Sequence, residues 1–169
     1  IAIISEGEKT EKQIINNLQR NFPTFSNKII FLSYKTNIYK LFKEIDVSNI
    51  NSDDISQIYL FFDYDGHDSE YSNEKISQMI EIFNNETENG KLYISYPMVE
   101  ALKHLLKNKV EIENYIVKIK ENNNYKNFVS KNSDFTDLRK FKFEDWGFII
   151  SENLKRCLFL FEIKNLNYE

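Results

Sequence analysis

Four short runs of strand-forming residues constrain this chain more than any other feature: "IAIIS" (Ile1–Ser5), "KIIFLSY" (Lys28–Tyr34), "QIYLFFD" (Gln57–Asp63) and "KLYISY" (Lys91–Tyr96). Each is apolar at nearly every position instead of at alternate ones, so each asks to be covered on both faces. The segments between them, "TEKQIINNLQRNF", "NIYKLFKEI" and "SNEKISQMIEIFNNE", repeat apolar residues at three- and four-residue spacing. Ile76, Met79, Ile80 and Phe83 make one such stripe, which is the period of a helix lying on a core. Buried strands alternating with amphipathic helices predict an α/β fold, with a mostly parallel sheet of about four strands flanked by helices.

The pattern changes after Pro97. "PMVEALKHLLK" predicts a helix with proline in its first turn. "ENNNYKNFVSKNS" and "WGFIISENLKRCLFLFEIKN" also read as helical. We therefore expect an α/β core over residues 1–107 and a mainly helical C-terminal extension over 108–169, packed on that core. The aromatic group Phe141, Phe143, Trp146 and Phe148 reads as core or interface in preference to a base-stacking surface. Arg139, Lys140 and Lys142 form the best local basic stretch, and such stretches are most often solvated. Cys157, in an apolar helical run, reads as a small buried hydrophobe.

Composition excludes some classes of function. At 169 residues with 41% hydrophobic and 15% aromatic content, the chain can bury a true core. No apolar run approaches the roughly 18 residues of a membrane span, and no secretory signal is visible. A single cysteine precludes an internal disulfide, so the expected location is a reducing cytoplasm. The chain opens without Met directly in a strand, which we expect of a piece taken from a longer protein. With 22 Lys+Arg against 26 Asp+Glu, the net charge is −4. Nucleic-acid binding thus cannot rest on overall charge and needs a local site, metal ions or a partner.

Chemistry concentrates at three places. Asp63 and Asp65 lie at the carboxyl end of an apolar strand, where open parallel sheets bind ligands; the bland alternative makes them turn and N-cap residues of the next helix. "DYDGHDSE" is not an EF-hand, because its glycine comes too early and a strand precedes it. Glu6 and Gly7 follow the first strand directly. Gly7 permits a tight turn, Thr10 is a natural helix cap, and first-turn acids suit the helix dipole. Glu6 is not explained that way and belongs at the strand tip beside Asp63. In "SYPMVEALKHL", Glu100, Lys103 and His104 share one helix face, which alone reads as a surface ion pair. Neither phosphate-loop nor dinucleotide motif is present.

Several carboxylates on one sheet rim repel one another unless protons or hard cations intervene. An all-oxygen donor set without a cysteine pair favours Mg2+ or Mn2+ over Zn2+. Such ions serve phosphodiester chemistry by polarising phosphate and activating water.

The combination of "EGEKTE", "FFDYDGHD" and "SYPMVEAL" resembles the Toprim domain, a Rossmannoid fold of topoisomerases, primases and OLD-type nucleases. It is most similar to the RloB- and OLD-type nucleases of bacterial anti-phage defence. RloB-like chains carry asparagine before the proline where this chain has Tyr96. The resemblance covers about residues 1–107 and implies a Mg2+- or Mn2+-dependent nuclease, with endonuclease action favoured. It implies Glu6, Asp63 and Asp65 as metal-binding acids, Glu100 as a further ligand and Glu11 as a second acidic position. Lys103 or His104 is a candidate for offsetting charge on phosphate. The partners implied are DNA or RNA and an ATPase or other defence-system subunit, with self-association left open. The rival is a non-catalytic module: a degenerate Toprim scaffold, or a receiver-like domain whose strand-tip aspartate accepts phosphate.

Overall fold

The computed structural model describes residues 1–22, 28–41, 55–64, 69, 72–96, 98–102, 122–132 and 137–166. They fall in two compact units, Ile1–Val99 and Glu100–Glu169. Among the described residues, no helix is long and apolar enough to cross a membrane.

The first unit is built on strands β1 (Ala2–Ser5), β2 (Ile30–Ser33), β3 (Ile58–Asp63), β4 (Asn84–Asn85) and β5 (Gly90–Ser95), with helices α1 (Thr10–Asn21) and α2 (Asn73–Ile82). The sheet order is β2-β1-β3-β5-β4. All pairings are parallel except that of β4 with β5. The chain leaves β1 for β2 on one side and returns to place β3 on the other. Strand order therefore reverses at β1 and β3, the position where open α/β sheets form a ligand crevice.

The two faces of this sheet differ. Ile4, Leu60 and Leu92 stand in register on one face. They join Phe62 in a cluster with Ile38, Tyr39, Leu41, Ile76, Met79 and Phe83. This is the core expected from the strand and helix patterns. Ile80 departs from it: it lies at the edge of the α2 stripe and is exposed. Its neighbours Ile76, Met79 and Phe83 are buried.

The helix expected over "SNEKISQMIEIFNNE" starts where read, with the Ser72 hydroxyl accepting from Lys75 N–H at 3.1 Å. It stops at Ile82, and the residues beyond it form the antiparallel strand β4. The Asn85 side chain accepts from both Thr87 N–H and Thr87 hydroxyl, a local turn that competes with further helix. The "NIYKLFKEI" helix is seen only as a single tight turn at Ile38–Lys40, capped by Asn37, since residues 42–50 lie outside the described set.

Gly90 opens β5 with φ of 106°, a conformation that costs other L-residues about 1–2 kcal/mol. A Cβ there would also stand 2.5 Å from Leu60 Cδ1. Gly90→Ala is therefore expected to destabilise the unit by about 2 kcal/mol, measured as a lower midpoint of urea unfolding.

The second unit contains α3 (Asn122–Asn132) and α4 (Phe143–Leu166). Asp145 accepts from Lys142 N–H at 2.8 Å, which starts α4 ahead of the expected Trp146. Phe141 and Trp146 flank that start with rings 5.5 Å apart in an edge contact, a hydrophobic staple. Both are buried with Val129, Leu138 and Ile149, as expected of core residues, whereas Phe143 and Phe148 are exposed. The Cys157 side chain lies outside the described residues.

Candidate functional site at the carboxyl edge of the sheet

Glu6 is the first residue past β1, and its backbone continues the sheet on both sides. Its N–H donates to Phe61 carbonyl at 3.3 Å. Its carbonyl accepts from Lys35 N–H at 3.1 Å and from the Ser33 hydroxyl at 3.3 Å. The Oε2 atom of Glu6 is shielded from solvent. The loop after it is clamped at Gly7, whose carbonyl accepts from the Ser5 hydroxyl at 2.7 Å. Gly7 N–H donates to Glu11 Oε1 at 3.1 Å. A Cβ on Gly7 would lie 2.5 Å from that carboxylate, so glycine is what admits the clamp. Thr10 is not the cap of α1 as expected: Lys9 holds the N-cap position without a side-chain hydrogen bond. The first-turn acid Glu11 reaches back to the loop instead.

Asp63 ends β3, in register with Ser95 at the end of β5. Its Oδ1 accepts from the Ser95 hydroxyl, and from Val99 N–H at 3.0 Å. Two donors on one oxygen fix the orientation of the carboxylate. Asp63 is not the cap of α2, a role that belongs to Ser72. Sequence reasoning missed Ser95 and Val99. The register of β3 with β5 reveals Ser95, and the turn of the chain after β5 brings Val99 N–H to the same oxygen; no local motif encodes either.

Glu6 and Asp63 therefore stand at the carboxyl ends of neighbouring parallel strands, on either side of the reversal in strand order. Asp65, Lys103 and His104 lie outside the described residues. Glu100 belongs to the second unit. There its Oε1 lies 3.5 Å from the Nζ of Lys126, an exposed side chain, while its own Oε2 is buried. Among the described residues, no three His, Cys, Asp or Glu side chains gather closely enough to hold a metal ion. Asp65, the third acid expected at this rim, stands two residues beyond Asp63 in sequence and outside that set. The oxygen-only donors otherwise suit a hard divalent cation.

The basic stretch offers less than its sequence suggests. Arg139 grips Asp137 through two hydrogen bonds of 2.6 and 2.9 Å. That contact holds the Asp137 carboxyl below the usual carboxylate range. Lys140 and Lys142 are exposed, in keeping with a solvated face.

No protein-family model, no curated protein and no solved structure matches this chain.

Proposed function

We propose that the protein is a divalent-metal-dependent nuclease with a Toprim-like site, acting on DNA or RNA in bacterial defence against mobile DNA. One observation carries this reading: Glu6 and Asp63 sit at the tips of adjacent parallel strands where strand order reverses. In this reading Glu6, Asp63 and Asp65 hold Mg2+ or Mn2+. The bound ion supplies Lewis acidity toward a phosphate oxygen and makes water a better nucleophile. The chain's own residues do the positioning. The Gly7 clamp, made by Ser5 and Glu11, fixes the loop that carries Glu6. Ser95 and Val99 N–H orient Asp63.

The test is cleavage of single- and double-stranded DNA and RNA with Mg2+ or Mn2+, repeated on Glu6→Ala and Asp63→Ala. Cleavage unchanged in both variants removes these acids from the mechanism. Ser95 acts through Asp63 and is a positioning residue. Ser95→Ala is expected to weaken Mn2+ binding and cleavage together by roughly 10–100-fold, with Ser95→Thr restoring both.

Two observations favour a second reading as a phosphate-accepting receiver. The order β2-β1-β3 followed by β5 is that of flavodoxin-like sheets, to which receiver domains belong. A hydroxyl, from Ser95, also stands on the strand-tip aspartate. Incubation with acetyl phosphate separates the two readings: a receiver gains a phosphoryl group on Asp63, and a nuclease does not.

A further inference from the structure

The face of the sheet opposite the aliphatic core has a different chemistry. Register places Tyr59 beside Lys91, Phe61 beside Tyr93 and Asp63 beside Ser95, all on that one face. Phe61 and Tyr93 are stacked, with ring centroids 5.2 Å apart and planes within 14°. Tyr59 continues the row, its ring 6.2 Å from that of Tyr93. Tyr93 is 45% exposed. Tyr59 and Phe61 are half-buried. Toward β1 this face is closed, with Ile3 beside Tyr59 and Ser5 beside Phe61 both buried; toward β5 it carries π-surfaces, two phenol hydroxyls and an ammonium group.

We propose that this aromatic row is a platform for single-stranded nucleic acid that leads into the carboxylate edge. The inference rests on the nuclease reading and names its substrate class. From Tyr59 to Asp63 the strand advances about 13 Å, so bases stacked on Tyr93 and Phe61 lie on the path to Asp63. Stacking tolerates any base, because every base has a π-face. Lys91, at the end of the row away from Asp63, is placed to meet a phosphate of the same strand. A duplex hides its base faces and gains nothing from the rings.

Binding of a fluorescent dT12 single strand, followed by anisotropy in EDTA, tests the platform without any cleavage. The wild-type chain is expected to bind dT12 more tightly than the matching duplex. Tyr93→Leu keeps apolar bulk but removes the π-surface, and should weaken dT12 binding roughly 5–100-fold. Tyr93→Phe should bind as wild type. Lys91→Ala should lower the salt dependence by about one phosphate contact. Undiminished dT12 binding by Tyr93→Leu, or preference for the duplex, overturns the platform. Because no metal is present, that outcome is separate from failure of the nuclease reading, which shows as cleavage that survives loss of Asp63.

Discussion

Asp63→Asn is expected to lower metal-dependent cleavage by roughly 100–1,000-fold while leaving the fold intact. A metal-assisted phosphodiester reaction draws several kcal/mol from charge stabilisation, and each 1.4 kcal/mol or so is a factor of ten in rate. Asparagine has nearly the same shape as aspartate. Its amide oxygen can still accept from Ser95 and Val99 N–H, as Oδ1 of Asp63 does. The substitution thus removes the negative charge and keeps the anchoring. Single-turnover cleavage at saturating Mg2+ measures the effect, and thermal unfolding of the same sample checks the fold. A rate within about threefold of wild type would show that the Asp63 charge is not used.

The largest stability effect is expected at Leu60. It is fully buried at the centre of β3, in register between Ile4 on β1 and Leu92 on β5. Its methyl group also lies against the backbone of Gly90. Leu-to-Ala changes in cores cost about 2–5 kcal/mol, more where the surroundings cannot collapse. Here both neighbouring strands are pinned by parallel pairing, so Leu60→Ala should cost about 3–4 kcal/mol. Urea denaturation should show a lower midpoint with an unchanged slope. By contrast Tyr93→Leu, on the opposite and half-open face, should change stability little. A small loss at Leu60 would mean that this face is not the core.

Much of this architecture was legible from pattern alone. Near-continuous apolar runs identified the parallel strands, and three- and four-residue spacing identified α1 and α2. Placing Glu6 and Asp63 on one rim needed only the rule that acids at strand ends share an edge when their strands are parallel neighbours. What escaped depends on pairing between distant segments. Ser95 meets Asp63 because β5 runs beside β3, Val99 because the chain turns after β5, and neither residue carries a local signature. The role of Glu11 was hidden for a different reason: an acid in a first helical turn also suits the dipole, and the tight turn at Gly7 decides between that and the clamp. The β4 strand was missed because "FNNE" continues the helical spacing, whereas the Asn85 side chain commits the backbone to a turn. The contrast between the two sheet faces was also unreadable. Residues Ile58 to Phe62 all look apolar or aromatic in sequence, and only the pairing sorts Leu60 and Phe62 from Tyr59 and Phe61.

Titration of Mn2+ into the protein, followed by loss of the free-ion electron paramagnetic resonance signal, tests the central claim most directly. The account predicts saturable binding of a single ion by the wild-type chain. It also predicts affinity at least about tenfold weaker in both Glu6→Gln and Asp63→Asn. Binding of equal strength in all three proteins, or no saturable binding by the wild type, would contradict it.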